Sequence, residues 1–260
     1  MRRGLMTDET PDERLTRLSQ ARIKSVLPKR FYQQVAVGPD QCILLDGRSV
    51  KTPLKAKLLL PSALLAEAVA AEWSAQADVI NAALMPLTKL ANTAIDRLRL
   101  ERAQMAAEVL AFAGNDLVCY RAENPADLVA LQAASWDPVL TWAARELDAE
   151  FKVVQGVVHV AQDPFTLQAV ERRVGAFDNH TLTAVHNLMT LTGSALLALM
   201  VQARELPANA AWAAEHVDED YQIGRWGEDV EAATRRAFRK SEFEATARFL
   251  SLIDDSGLAT

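Results

Sequence analysis

The chain has 260 residues, of which 50% are hydrophobic and 24% charged, and its formal net charge is −6 at pH 7. This composition is typical of an ordinary globular protein and excludes wholesale disorder. The surplus of carboxylates argues against a nucleic-acid partner, because phosphate binding needs excess Lys and Arg.

The first 85 residues predict a charged lead-in followed by a small β-rich unit. Residues 1–25 carry many charges and little apolar periodicity, so we expect a mobile segment with one helical turn near residues 12–18. Residues 26–85 contain short apolar segments separated by turn sequences, at residues 38–40 and at Asp46, Gly47 and Arg48, which favours antiparallel hairpins. We assign these last three residues a structural role in the turn.

One helix is predicted inside this first domain. Ser62 is a good N-cap, and Leu65, Val69 and Trp73 follow at helical spacing on one face. Trp73 is therefore expected to have a structural role in the core. Cys42 lies in an apolar run, as does Cys119, and both are predicted to be buried free thiols.

Residues 86–260 predict a larger, mainly α-helical domain. A long amphipathic stretch covers residues 87–112, with Asp96 on its polar face, where we assign it a structural role. Residues 117–120 and 151–160 are candidate strands that pair with each other, and the helix between them is expected to bend or break at Asp137-Pro138. Residues 181–203 predict one very apolar helix, central to a bundle, and further helices follow toward Trp226. The predicted fold class is therefore α+β.

The sequence carries no familiar catalytic signature. It has no G-x-G-x-x-G, Walker A, G-x-S-x-G or H-E-x-x-H pattern, so no cofactor and no metal are implied. A carboxylate-dependent hydrolase assembled by folding, with His186 or His216, stays open as an alternative, since sequence separation does not exclude it. A helical adaptor for an unknown client is a second alternative. No segment reaches the ~18 apolar residues of a membrane span.

The most unusual feature is a run of carboxylates near residues 215–231. They are opposed within that run only by Arg225, and they are Glu215, Asp218, Glu219, Asp220, Glu228, Asp229 and Glu231. A basic block follows at residues 235–240. Such a run is usually a solvated helix face, but Tyr221 and Trp226 lie inside it, and aromatic residues beside charges are typical of interfaces. We therefore interpret it as a candidate docking patch whose carboxylates the fold does not need.

Five segments together resemble one protein family. They are RFYQQVAV (30–37), LLDGRSVKTP (44–53), LPSALLAEAVAAEWSAQ (60–76), MPLTKLANTAIDRL (85–98) and YQIGRWGEDVEA (221–232). In this order they resemble the assembly chaperone of the F-type ATP synthase that handles the alpha subunit of the catalytic head. The resemblance runs from about residue 28 to about residue 240. Asn81-Ala82-Ala83 departs from the pattern, which has a proline shortly before Met85-Pro86.

The resemblance implies binding without catalysis. Members of this family are expected to hold unassembled ATP synthase alpha subunit, and to prevent its aggregation until the beta subunit replaces them. For this chain it implies a bacterial cytoplasmic protein, monomeric when free, where eukaryotic relatives act in the mitochondrial matrix. It places partner binding at the acidic and YQ-x-x-x-WG positions, namely Asp218, Glu219, Asp220, Tyr221, Gln222, Trp226 and Glu228.

Overall fold

The computed structural model of the protein describes residues 27–156 and 158–253. The predicted mobile segment 1–25 lies outside the described residues. The described chain begins with a three-stranded antiparallel sheet of β1 (Val35–Val37), β2 (Ile43–Leu45) and β3 (Arg48–Ser49). Val35 pairs with Leu45, and Leu45 pairs with Arg48. The predicted hairpin unit is confirmed.

The turn between β2 and β3 needs its glycine. Asp46 and Gly47 both have positive φ, at 48° and 76°, and Gly47 adopts this region without the steric cost of a Cβ. The Asp46 carboxylate accepts hydrogen bonds from the backbone N–H groups of Gln33, at 3.1 Å, and Gln34, at 2.8 Å. These hydrogen bonds lower the pKa of Asp46, and the bond from Gln34 has the largest effect.

Ten α-helices make up most of the described chain. They are α1 (Ala63–Ser74), α2 (Pro86–Asp96), α3 (Leu98–Ala113), α4 (Ala126–Leu147), α5 (Pro164–Gly175), α6 (Asn179–Thr192), α7 (Ala195–Gln202), α8 (Ala208–Glu215), α9 (Val217–Trp226) and α10 (Val230–Ile253). A parallel pair, β4 (Tyr120–Arg121) and β5 (Val154–Gln155), lies among them. The α+β class is confirmed. No helix in the described part of the chain is long and apolar enough to span a membrane.

Two stretches that the sequence predicts as continuous helices are divided in the structure, and the helix expected to bend or break at Asp137-Pro138 is not broken there. The stretch 87–112 forms α2 and α3, with Arg97 between them. The apolar stretch 181–203 is broken because Gly193, with φ of 67°, ends α6, and the Ser194 side chain caps α7 by accepting from Leu197 N–H. Conversely, α4 runs unbroken through Pro138. Pro138 has no N–H group, so the carbonyl of Ala134 lacks its usual partner in the helix. Both residues are exposed, so water can bond to this carbonyl.

The two predicted strands 117–120 and 151–160 are confirmed as a pair but shrink to two residues each. Residues Leu117–Cys119 form a 3₁₀ turn instead, because the Asp116 side chain accepts from Val118 N–H and starts that turn. Cys42 and Cys119 are buried free thiols, as predicted, and burial raises the pKa of Cys119 to about 12.

The buried apolar side chains form one continuous cluster, from Tyr32 near the sheet to Ile253 at the end of α10. The N-terminal sheet and α1 contribute to the same cluster as the later helices. Ser62, which caps α1, also donates its hydroxyl to the carbonyl of Leu252 in α10. The predicted division into domains 26–85 and 86–260 stays a prediction.

Asp116 is a fully buried carboxylate at the N-terminus of α7. It accepts from the Ser194 hydroxyl at 2.6 Å and from Leu196 N–H at 2.9 Å, so it joins the 3₁₀ turn to the break between α6 and α7. Burial disfavours the charged form and raises the pKa of Asp116 to about 6. Its hydrogen bonds and the N-terminus of α7 oppose that rise.

We expect Asp116 to give the protein a defined pH dependence. Because its pKa is raised on folding, the folded chain holds this proton more tightly than the unfolded chain. The contribution to stability is present below pH 4 and is lost as the pH rises through 6. The test is urea denaturation of the wild type and of the non-ionising variant Asp116→Asn. The free energy of unfolding of the wild type minus that of the variant should fall between pH 4 and pH 7. A difference that stays constant or grows would contradict this.

Glu72 connects α1 to the start of α2. Its carboxylate reaches across from α1 and accepts from Leu87 N–H at 2.7 Å, and from the Thr88 N–H and hydroxyl at 2.8 Å and 2.7 Å. These N–H groups belong to the first turn of α2, where no intrahelical acceptor exists. Glu72 is thus an N-cap supplied by another helix, and its burial raises its pKa.

Removing this cap should destabilise the protein measurably. We expect Glu72→Ala to lower the free energy of unfolding by about 1–2 kcal/mol, the usual loss for a helix cap. Glu67→Ala is the matched control, because Glu67 lies on the exposed face of the same helix. Urea denaturation of both variants tests this, and equal stabilities would refute a capping role for Glu72.

Candidate functional site

The predicted docking patch lies on α9 and the first half of α10. Asp218, Glu219 and Asp220 occupy the first turn of α9, where carboxylates are favoured by the helix dipole. Gly227 follows α9 with φ of 86°, and this conformation lets the chain turn directly into α10.

Three arginines of the basic block on α10 pair with carboxylates of the acidic run. Arg236 lies 2.5 Å from the Asp220 carboxylate and 3.9 Å from that of Glu219. Arg239 lies 3.7 Å from Glu215, and the pair Glu231–Arg235 is at 2.5 Å. Arg236 therefore joins α9 to α10, Arg239 joins α10 to the end of α8, and the patch is less negative than the sequence indicates.

The remaining polar residues at the start of α9 face α4. Asp218 accepts from the buried Gln132 side chain at 2.7 Å, and Gln132 in turn accepts from Ala122 N–H at 2.8 Å. Asp218 and Asp220 each contact a neighbouring element, and the expectation that the fold does not need these carboxylates stays a prediction.

Asp127 in the first turn of α4 is a member of this site that sequence reasoning missed. Its carboxylate accepts hydrogen bonds from the Tyr221 hydroxyl at 2.9 Å and from the Arg225 guanidinium at 2.6 Å. These bonds lower the pKa of Asp127, and the bond from Tyr221 has the largest effect. The Arg225 guanidinium also lies over the Tyr221 ring, 4.7 Å from its centroid. Asp127 is almost a hundred residues away in sequence, so no local signal could have found it.

Three of the predicted partner-binding residues have exposed side chains that form no polar contact with the described part of the chain. Gln222, Trp226 and Glu228 are exposed, and none makes a side-chain hydrogen bond or ion pair to another described residue. Trp226 is 77% exposed. The other four predicted residues, Asp218, Glu219, Asp220 and Tyr221, all contact neighbouring elements.

Of the residues predicted to be structural, Asp96 and Trp73 contact other elements, and the structural roles stay predictions. Asp96 accepts from the Thr52 hydroxyl at 2.6 Å and from Leu54 N–H at 2.9 Å, so it fastens the loop after β3 to the end of α2. Trp73 is half-buried at the edge of the core, packed edge-to-face on Tyr32 at 5.8 Å. The Tyr32 hydroxyl donates to the Trp73 carbonyl at 2.7 Å. The side chain of Arg48, which follows the β2–β3 turn, is exposed.

The histidines of the hydrolase alternative have separate partners. His216 is buried between α8 and α9, where Nδ1 lies 2.8 Å from the Trp212 carbonyl and the ring contacts Glu215. His186 on α6 pairs with Glu108 at 2.6 Å. Within residues 27–156 and 158–253, no three His, Cys, Asp or Glu side chains converge as a metal site requires.

Comparisons with known proteins agree on one kind of protein. A family model described as ATP12 chaperone protein matches residues 29–144. The mitochondrial protein atp12 of Schizosaccharomyces pombe is 22% identical over 214 residues, which cover 76% of this chain and 74% of the yeast protein.

Solved structures extend the likeness over most of the chain. The crystal structure of Atp12 from Paracoccus denitrificans has a TM-score of 0.84 at 39% identity, covering 87% of this chain and 99% of that one. The Atu1473 protein of Agrobacterium tumefaciens has a TM-score of 0.83 at 39% identity, covering 96% and 93%.

The fold is thus that of a chaperone with a small sheet and a large helical part. With 39% identity over nearly the whole Paracoccus protein, the chain belongs to the ATP12 chaperone family.

The ion pair between Asp220 and Arg236 can be tested by charge reversal. We expect Asp220→Lys to lower the free energy of unfolding by about 1 kcal/mol, the upper end for an exposed pair, because it places two cations together. The double variant Asp220→Lys/Arg236→Asp should recover most of that loss.

Glu228→Lys is the matched control, since it makes the same change in charge at an exposed carboxylate without a described partner. Thermal melting of the four proteins decides the matter. If Asp220→Lys melts together with Glu228→Lys and the wild type, the pair does not hold α9 against α10.

Proposed function

We propose that this protein is an assembly chaperone for the soluble catalytic sector of proton-translocating ATP synthase. It binds unassembled alpha subunit and prevents its aggregation until the beta subunit replaces it. Membership of the ATP12 chaperone family supports the assembly role. The alpha subunit as client rests on the resemblance of the five sequence segments.

The observation that carries the binding role is the exposure of Trp226. The first four resembling segments contain residues that the fold uses, such as Asp46, Glu72 and Asp96. In the fifth segment Tyr221 and Arg225 are also used, by Asp127. Trp226 contributes nothing comparable to the fold, and a tryptophan exposed to water is an unfavourable feature that binding would relieve.

The surroundings of Trp226 suit a contact that must later be released. Gln222 and Glu228 supply free polar groups beside it, so an apolar centre is flanked by a solvated rim. Asp220 and Glu215 are already paired inside the molecule, so binding does not require those two carboxylates to be buried unpaired. A small wet interface gives moderate affinity, which is what exchange for the beta subunit requires.

Other expectations about the protein stay predictions. They are that it is monomeric when free, that it is located in the bacterial cytoplasm, that it binds no nucleic acid, and that it has neither a cofactor nor an enzymatic activity. Turnover assays with small substrates would test the last of these.

The role of Trp226 can be separated from folding. Purified alpha subunit, diluted from denaturant, should aggregate alone and stay soluble with the wild-type protein, as followed by light scattering. We expect Trp226→Ala to fold normally but to bind alpha subunit about tenfold more weakly or worse, the loss typical of an interface hot spot.

Two controls make this result specific. Phe165→Ala removes an aromatic side chain that is 80% exposed at the start of α5, away from the site, and should protect like the wild type. Addition of beta subunit should displace the chaperone. Full protection by Trp226→Ala would remove Trp226 from the interface, and equal protection of an unrelated aggregating enzyme would favour an unspecific adaptor.

A further inference from the structure

One short segment near the N-terminal sheet carries four exposed bases and no carboxylate. Residues 47–60 contain Arg48, Lys51, Lys55 and Lys57, although the net charge of the whole protein is −6. None of these four side chains forms an ion pair or a hydrogen bond with another described residue, whereas three arginines of α10 pair with carboxylates. We call the four residues the N-terminal basic cluster.

Two of these lysines face each other across a hairpin. Lys51 and Lys57 are antiparallel bridge partners, and the N–H groups of Thr52 and Leu58 next to them form the flanking cross-strand hydrogen bonds, at 2.9 and 3.1 Å. This makes the two lysines a non-hydrogen-bonded pair, in which the side chains share one face and lie especially close. Like charges placed opposite each other destabilise a hairpin, and a bound carboxylate would relieve that repulsion.

The turn of this hairpin is fixed by a carboxylate that has no capacity left for the lysines. Lys55 has a φ of 66°, a conformation that few residues other than glycine adopt, and its N–H group donates to the Thr52 carbonyl at 2.8 Å. Asp96 uses one carboxylate oxygen for the Thr52 hydroxyl and the other for the N–H group of Leu54. The backbone under the lysines is therefore held in place, while their charges are left without an internal partner.

A cavity of about 510 Å³ adjoins the basic cluster. Phe31 and Trp73 line it together with Arg48 and Lys51. Phe31 is 74% exposed, so a large aromatic side chain at this cavity is in water. The cavity has room for one large apolar side chain of a partner, with two bases beside it.

Asp46 also lines this cavity, but its charge is already compensated. Its carboxylate accepts hydrogen bonds from the N–H groups of Gln33 and Gln34. After these bonds, the charges of Arg30 and Arg48 also lower the pKa of Asp46. The bases around the cavity therefore outweigh this one carboxylate, and an acidic partner fits there better than a basic one.

We propose that the N-terminal basic cluster and its cavity bind an acidic segment of isolated alpha subunit. Carboxylates of that segment lie at Lys51 and Lys57, and one of its large apolar side chains enters the cavity that Phe31 and Trp73 line. This rests on the proposed function and adds a contact that shares no residue with the site around Trp226. Its attraction is mainly electrostatic, so it speeds encounter and weakens with salt.

The test reverses two bases and compares them with a matched pair elsewhere. Lys51→Glu/Lys57→Glu reverses the charge and still leaves two like charges opposite each other, so the repulsion within the hairpin is retained. Lys152→Glu/Arg172→Glu makes the same change in net charge at two exposed bases without an ion pair to a described residue. Lys51→Arg/Lys57→Arg keeps the charge.

Circular dichroism and melting establish that each variant folds, and a titration with purified alpha subunit gives Kd. If the reversal variant does not fold, Lys57→Glu alone replaces it, with Arg172→Glu as its control.

At about 0.1 M NaCl we expect the reversal variant to bind alpha subunit about tenfold more weakly or worse, and the control and arginine variants to bind like the wild type. The ratio of the Kd values of reversal variant and wild type should shrink at about 0.5 M NaCl, because exposed charges are screened. Phe31→Ala should also weaken binding, and wild-type affinity in that variant would refute the apolar part of the proposal.

Wild-type affinity in the reversal variant, or an equal loss in the control variant, would overturn the proposal while leaving the proposed function intact. A wild-type protein that does not bind alpha subunit would overturn both.

Two other occupants of the basic cluster would give different results. A second copy of this chain would form a dimer in sedimentation velocity that Lys51→Glu/Lys57→Glu dissociates. A nucleic acid would be detected as binding of a labelled single-stranded oligonucleotide that the same variant abolishes. Either result, with alpha binding unchanged in the variant, would show that the proposal is wrong.

Discussion

The fold depends on carboxylates that accept backbone N–H groups from distant segments. Asp46 holds the chain before β1, Asp96 holds the loop after β3, Glu72 caps α2 from α1, and Asp116 caps α7 from the turn after α3. Each N–H group would otherwise lack an acceptor at a helix start or in a loop, which costs free energy when it is buried. A sheet of two- and three-residue strands cannot supply these acceptors, so side chains do.

This arrangement explains what most of the family motifs do. Thr52 of K-T-P binds Asp96 of A-I-D, and Glu72 of A-E-W binds the M-P-L-T segment. Asp46 of D-G-R binds the backbone of the first segment, residues 30–37. These segments contribute to one continuous core. These motifs therefore stabilise the fold. The fifth segment is the exception, because Trp226 is exposed and has no comparable contact. The first four segments thus stabilise the fold, and the fifth contains the exposed residue of the candidate binding site.

Electrostatics and apolar contact have separate roles at the α9–α10 surface. Arg236 pairs with Asp220 and joins α9 to α10. Arg239 pairs with Glu215 at the end of α8, and Glu231 pairs with Arg235 within α10. Trp226 at the end of α9 is left in water. An exposed apolar side chain can cover part of the apolar face of an unassembled subunit, yet it is small enough to release it.

The sequence by itself determined the class of the fold, the N-cap at Ser62, the buried thiols and the family, because these depend on local periodicity, capping chemistry and motif order. Only the tertiary structure decided that Gly193 divides one apolar stretch, that Pro138 is tolerated in α4, and that Asp127 binds Tyr221. It also decided that part of the acidic run is paired inside the molecule. Each of these features depends on which distant residue, or water molecule, forms a hydrogen bond or ion pair with a backbone or charged group. Spacing along the chain does not contain that information.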